Sequence, residues 1–333
     1  MSAPTATSDA RIIRLNAADN LVVAVDYIEK GALAEGVTAT ARIPPGHKMA
    51  VVPIAVGDPI RKFGQIIGFA TKPIVPGDWI HEHNVGMHDF QRDYAFAADA
   101  KDEAVLPVEQ RATFQGYRRA NGKVGTRNYI GVLSSVNCSA TVATLMAREI
   151  ERSGILADYP NIDGIVPLVQ ANGCVIDYRG AIFDILKRTS WGYAANPNMG
   201  GVVMVGLGCE GFQIARFKQA YGIEENDRFR TMTIQETGGT RKTVAAGVEA
   251  IKAMLPVAND VRRETVPASE LILALQCGGS DGYSGITANP ALGAAVDRLV
   301  RHGGTAILSE TPEIYGAEHL LTRRAATREV GEK

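Results

Sequence analysis

No run in this 333-residue chain is long enough and apolar enough to span a bilayer, which takes about 20 consecutive apolar residues. Cysteine is scarce. Four in a chain of this length exclude a disulfide scaffold, and leave thiols that pack, bind metal or react. Neither sign of charge dominates: 35 Lys+Arg against 36 Asp+Glu give a net charge of -1, without the basic footprint of a nucleic-acid-binding protein. The opening Met1–Ala10 lacks the apolar core of a signal peptide and reads as a loose tail. A cytoplasmic protein with no membrane or nucleic-acid partner is expected. What is present is ordinary for a globular chain: 46% hydrophobic and 21% charged residues, over a length that suits two or three domains.

The patterning divides the chain. Residues 12–88 read as a small β-rich module. Short apolar runs such as Leu21–Val25, Met49–Ile54 and Ile66–Ala70 alternate with turn signals at Pro44-Pro45-Gly46, Gly57-Asp58-Pro59 and Pro76-Gly77-Asp78, which suggests a compact barrel or clip. Residues 89–111 are polar and patternless, as a linker is. Residues 112–258 repeat strand, loop and helix, the pattern of an α/β domain with a parallel sheet, and a weak linker at 256–265 follows. Residues 266–333 begin another such domain. Leu271–Leu275 reads as a buried strand. Asn289 and Pro290 read as the N-cap and first residue of a helix, and Thr305–Leu308 as the next strand.

Chemistry concentrates at the strand exits, where open α/β sheets bind ligands. These loops are Asn137-Cys138-Ser139, Asn172-Gly173-Cys174, Gly206-Leu207-Gly208-Cys209-Glu210-Gly211, Glu236–Lys242, Gln276–Pro290 and Ser309-Glu310-Thr311. All four cysteines fall in them. A single cysteine there is ordinary packing between strand and helix. Four together, flanked by Gly, Asn and Glu, suggest a shared site in which thiolates bind Fe or Zn and carboxylates move protons, although the spacings match no zinc-knuckle pattern. Gly206 to Gly211 also matches the G-x-G-x-x-G outline of a dinucleotide loop. Glycine-rich loops stand at nearly every exit here, so one match carries little weight. Arg127, ahead of a strand, and Arg241 with Lys242, at a helix start, would suit a carboxylate or phosphate; solvated charge explains them too. His81-Glu82-His83, if extended, places two imidazoles on one face, as in a metal pair or an exposed edge strand. His47 reads as a turn residue and His302 as a cation in a last helical turn.

Long segments resemble the altronate dehydratase / galactarate dehydratase family. They are Gly116–Arg119, Gly125–Tyr129, Val136-Asn137-Cys138, Gly206–Glu210, Gln235–Thr240 and the stretch Gln276–Pro290. In the N-terminal module Ile43–Lys48, Gly57–Ile60 and His81–Val85 resemble the family's SAF domain. The resemblance implies a multidomain chain: an N-terminal β-clip (SAF) domain over residues 12–88, a middle α/β domain over 112–258, and the start of a C-terminal Rossmann-like domain over 266–333. That last domain is incomplete, because relatives continue past Lys333. The implied activity is a hydro-lyase that removes water from a sugar acid with a divalent metal, Fe(II), acting in the cytoplasm as a homodimer. Related sulfo-lyases remove sulfite instead. One departure stands out. Where relatives often carry a histidine, the loop here reads Gln170-Ala171-Asn172-Gly173-Cys174.

On that basis Asp281 and Glu310 are the candidates for proton transfer. Cys174, Cys209 and Cys277 are candidates for contact with iron. Arg127 and Arg241 would hold a distal carboxylate, and Gly278, Gly279, Ser280 and Thr287 would bind the substrate. The alternatives are an iron–sulfur dehydratase, a nicotinamide oxidoreductase using the Gly206 loop, and a non-catalytic or truncated sugar-acid-binding relative.

Overall fold

The computed structural model describes residues 10–102, 104–278 and 281–333. The chain forms two compact units: residues 107–271 make one, and residues 1–106 join 272–333 in the other.

The N-terminal module is built of short antiparallel strands: β1 (Ile12–Ile13), β2 (Leu21–Ala24), β3 (Lys48–Ala50), β4 (Pro59–Lys62), β5 (Gln65–Ala70), β6 (Trp79–Ile80) and β7 (Val85–Gly86). They form a sheet in the order β1-β2-β3-β6 and another in the order β4-β5-β7. Leu21 and Val23 pack with Ile54, Ile60 and Ile74, while Val22 and Ala24 pack with Ile28, Ile43 and Met49. Consecutive residues of β2 thus feed opposite faces, which is why the strand is apolar throughout. The buried Asp19 ties the modules' turns together, its carboxylate accepting from the amides of Asn16, Phe63 and Gly64 at 2.7–3.0 Å.

The middle unit contains β8 (Thr113–Arg118), β9 (Tyr129–Ser134), α1 (Asn137–Ser153), β10 (Gly164–Leu168), α2 (Ala181–Ala194), β11 (Met199–Gly206), α3 (Ile214–Tyr221), β12 (Phe229–Thr233), α4 (Thr240–Asn259) and β13 (Glu264–Pro267). Four strands make a parallel sheet in the order β10-β9-β11-β12. Ile130, Val132, Val203 and Val205 face α1 and α4 and meet Val142, Met146, Ile251 and Met254. Leu133, Val202 and Met204 face the other way and meet Phe183, Leu186, Ile214 and Phe217 of α2 and α3. Both faces are covered, so the strands read as unbroken apolar runs. Glu264–Pro267, across the boundary between the expected linker at 256–265 and the expected domain from 266, is a strand that pairs with β8 from Thr113 to Gly116.

The remainder of the first unit holds β14 (Ile272–Leu275), α5 (Ala288–Arg301) and β15 (Thr305–Leu308), a parallel β-α-β connection. The helix starts earlier than Asn289 and Pro290 suggest. Its N-cap is Thr287, because turns closed by Ile286 N and Thr287 N on Tyr283 O wind the chain before Asn289 is reached. Pro290 then occupies the third helical position, whose N–H would have no intrahelical partner in any case. Ile272, Ile307 and Leu308 of these strands are exposed. Among the described residues no helix is long and apolar enough to cross a membrane.

Candidate functional site

In the middle unit the strand order places a topological switch point between β9 and β11. The chain leaves β9 to one side through α1 and returns to the other through α2, which opens a crevice at the strand ends. Three predicted loops meet there. Cys138 lies in the first turn of α1, Cys174 follows β10, and Cys209 follows β11. The thiols of Cys138 and Cys174 lie 3.7 Å apart. Hydrogen bonding to Cys138, then burial, then the neighbouring Cys138, Cys209 and Glu210 push the Cys174 thiol above its ordinary range.

Glu210 is the residue that the glycine run conceals. It is 3% exposed. Its Oε1 accepts from the Ser135 hydroxyl at 2.6 Å and from Leu207 N at 3.1 Å; its Oε2 accepts from Gly208 N at 2.6 Å. The glycines make room for this side chain. A Cβ at Gly206 would fall 2.5 Å from Glu210 Oε1, and Gly208, at φ +124, would press one against Gln235. In a dinucleotide loop the backbone amides face a pyrophosphate. Here Leu207 and Gly208 are already engaged by the chain's own carboxylate. Gln170, in the loop that departs from the family pattern, donates to Ser135 O at 2.5 Å, and its amide to the Ser134 hydroxyl at 3.0 Å. It fastens the β10 exit to the β9 exit.

The predicted cations are not at this crevice. Arg127 precedes β9, at the opposite edge of the sheet, and pairs with Asp163 at 3.2 Å. Arg241 lies in the first turn of α4 and lines a groove with Glu149 and Ser153 of α1.

The other unit gathers a second set. The amide of Cys277 donates to Glu310 Oε2 at 2.8 Å, so the exits of β14 and β15 are linked, and both residues line a cavity of about 310 Å³ with Gln276, Asn289 and Glu313. Asp281 Oδ1 accepts from Tyr283 N at 3.1 Å, and the Thr287 hydroxyl donates to Tyr283 O at 2.9 Å; as placed, both shape the loop. Among the described residues, a Cβ at Gly278 would meet nothing within 4 Å, leaving its backbone open. Gly279 and Ser280 lie outside the described residues. The loop is anchored on the N-terminal module. The Tyr283 hydroxyl donates to Val25 O, Ile286 joins the core around Leu21 and Ile80, and Gly282 lies against Gly46 so closely that a Cβ there would be 3.0 Å from Gly46 O.

Gly46 is followed by His47, which does more than complete a turn. Lys48 pairs with Ile80 across β3 and β6, so His47 and His81 extend opposite strands side by side, and their rings stack at 5.3 Å. The indole N–H of Trp79 donates to His47 Nδ1 at 3.2 Å. An indole nitrogen can only donate, so the proton of neutral His47 sits on Nε2. Burial, then His81 and Lys48, pull the His47 pKa down and favour that neutral form. Burial, then Lys62, likewise lower the Lys48 pKa. The segment His81-Glu82-His83 is a turn rather than extended, because buried Asn84 accepts from His81 N and donates to Trp79 O; His83 still stacks at 6.5 Å from His81. Lys48 and His81 line a cavity of about 360 Å³. Sequence signals for this cluster existed in the two His-bearing segments, but their partnership depends on strand register. Among the described residues, no three His, Cys, Asp or Glu side chains are grouped so as to hold a metal ion.

The middle unit is a doubly covered parallel sheet with a carboxylate and thiols at its switch point, and the other unit holds a β module with a neutral imidazole and a lysine. Family models name the group. The "D-galactarate dehydratase/Altronate hydrolase, second domain" matches residues 116–259, the "D-galactarate/Altronate dehydratase, C-terminal" residues 268–333, and the "Altronate/galactarate dehydratase SAF domain" residues 10–88. The chain is 36% identical over 328 residues to the altronate dehydratase of Bacillus subtilis (strain 168), covering 96% of this chain and 64% of that protein. It is 37% identical over 339 residues to the galactarate dehydratase (L-threo-forming) of Escherichia coli (strain K12), covering 98% and 64%. A (2R)-sulfolactate sulfo-lyase subunit beta of Chromohalobacter salexigens is 33% identical over 223 residues, covering 66% of this chain and 52% of that one. The chain belongs to the altronate/galactarate dehydratase family, with a SAF domain at its N-terminus. It spans about 64% of the length of the two dehydratases.

Proposed function

We propose that this protein dehydrates a sugar acid, an aldonate or aldarate of the altronate or galactarate type, to a 2-keto-3-deoxy acid. The observation that carries the proposal is the seating of Gly282, Tyr283 and Ile286 on the N-terminal module at the His47 turn, inside one compact unit of a chain that matches the dehydratase family along nearly its whole length. β-Elimination requires that the proton α to the carboxylate be removed and that the β-hydroxyl leave as water; the enol then becomes the ketone. The difficulty is the charge that develops on the carboxylate as the α-proton leaves. Lys48 and the Nε2–H of neutral His47 are donors for those oxygens, and the amide of Gly278 is a further one. Asp281 takes the α-proton and Glu310 delivers one to the leaving hydroxyl.

A divalent metal, Fe(II), belongs to the same proposal, with Cys174, Cys209 and Cys277 as the thiol candidates; it would supply Lewis-acid stabilisation of the carboxylate. The described side chains form no group of three donors, so no step is assigned to it. Arg127 pairs with Asp163 and Arg241 lines a groove with Glu149 and Ser153, so no step is assigned to either. A homodimer in the cytoplasm and a Rossmann-like C-terminal domain complete the proposal.

The test is formation of keto-deoxy acid from altronate, galactarate and related acids with Fe(II) under reducing conditions. Asp281→Asn should reduce kcat by at least about a hundredfold, as expected for loss of a proton-transfer group. Turnover unchanged in that variant removes Asp281 from the role. The sulfo-lyase relative favours one second activity, release of sulfite from sulfolactate. Sulfite assayed in the same reactions separates the two.

A further inference from the structure

We propose that the middle unit carries an anion-binding site, separate from the cysteine crevice, in which Arg119 and Arg228 receive a small molecule bearing a carboxylate or phosphate. The site is a cavity of about 460 Å³ at the entrance edge of the sheet, opposite the strand exits, lined by Arg119, Arg228, Asn196, Asn226, Trp191 and Phe229 among others. That volume suits a small metabolite.

The charges there are unbalanced. Arg119 Nε donates to Pro197 O at 2.7 Å, and its Nη2 to Asn128 Oδ1 at 2.9 Å and to Arg127 O at 3.3 Å. Its Nη1 is buried with no partner. Arg228 donates to Gly200 O at 3.3 Å and to Val257 O at 3.0 Å, again only to neutral carbonyls. Neither guanidinium forms an ion pair among the described residues. Arg118, on the same rim, pairs with Glu264 at 2.5 Å and with Glu270 at 3.6 Å. The fold thus neutralises the outer arginine and leaves the inner two, which line the same cavity, without an acidic partner among the described residues. Burial, then the repulsion of Arg228, pull Arg119 below its ordinary range. A partly desolvated guanidinium with an orphan donor, beside a second cation, is costly unless something completes it. A planar guanidinium with free N–H groups is the natural partner of a carboxylate or phosphate. The nearby helix end is the C-terminus of α2, which offers no positive dipole, so the attraction comes from the arginines.

The test is calorimetric titration of the whole chain with inorganic phosphate and, separately, with malonate; the stronger of the two identifies the headgroup. One of them should bind with one-to-one stoichiometry and a Kd of about 1 mM or tighter, and Arg228→Gln should weaken it at least about tenfold. Arg228→Gln removes structural hydrogen bonds as well, so Asn226→Asp is the second variant. Asn226 Oδ1 accepts from Arg228 N at 2.8 Å. The aspartate keeps that acceptor, gives up the Nδ2–H that Asn226 donates to Glu224 O at 3.3 Å, and adds an internal counter-charge, so it should weaken anion binding at least about tenfold in a protein that still folds. Absence of saturable binding of either anion, or binding that both variants leave unchanged, overturns the proposal.

Discussion

Removing the Glu210 carboxylate tests the structural claim on which the switch-point crevice depends. Glu210→Ala deletes the acceptor for three donors, the Ser135 hydroxyl and the amides of Leu207 and Gly208. Hydrogen bonds to a charged partner contribute about 1.5–3 kcal/mol each. Relief of the buried carboxylate's own desolvation and entry of water into the vacated space offset part of that sum. A net loss of about 3 kcal/mol is expected. Glu210→Gln keeps the shape and one acceptor oxygen but turns an NH₂ toward a donor, so about 1–2 kcal/mol is expected. For a unit of this size, the alanine change corresponds to a fall in the unit's thermal midpoint of about 6–12 °C. Hydrogen exchange gives the local readout. The amides of Leu207 and Gly208 should lose protection in both variants, more in the alanine, while those of β9 in the sheet centre change only with global stability. Stability of Glu210→Ala within about 0.5 kcal/mol of the parent, with both amides still protected, would falsify the assignment.

Three other outcomes follow from the same geometry. The Cys174 thiol is pushed up chiefly by its hydrogen bond to Cys138, so Cys138→Ser should lower its pKa and speed its alkylation at pH 8, followed by peptide mass spectrometry; an unchanged rate refutes the coupling. His47 has a folded pKa below its unfolded value. The stability its neutral form contributes is therefore complete above about pH 6.5 and is lost as pH falls through the depressed folded value. Lys48→Met should move the imidazole titration midpoint upward by NMR, and a midpoint that stays put or falls counts against the repulsion. The Gly206 loop, with its amides taken by Glu210, should give no heat of binding with NAD(P)H.

Much of the middle unit is legible in the sequence because its strands are covered on both faces. The apolar runs at Tyr129–Leu133, Gly164–Leu168 and Val202–Val205 fall on β9, β10 and β11, with β9 and β11 only a few residues longer. Asn289 and Pro290 are strong local signals for a later start of α5, while the turns on Tyr283 that start the helix earlier depend on the loop's own hydrogen bonds. His47 could be seen, but its tautomer could not. The Trp79 indole that fixes it is 32 residues away, and nothing local links the two before β3 and β6 are in register. Lys48 and the Arg119–Arg228 pair share that limit, since a charge is unremarkable in sequence until the fold removes its water and its counter-ion.

The Gly206–Gly211 loop carries the same lesson into chemistry. Its glycines satisfy the spacing of a phosphate-binding turn, and that spacing alone cannot tell which anion the turn accommodates. In this chain a Glu sits among the glycines, its carboxylate fits the space that a Cβ at Gly206 would fill, and the turn closes on itself. A pyrophosphate would have to displace a carboxylate tethered three residues away, at an effective concentration no free nucleotide matches. The loop is therefore a wall of the Cys138–Cys174 crevice, and the proposed anion site of the unit is at the other end of the strands, where Arg119 and Arg228 form no ion pair among the described residues.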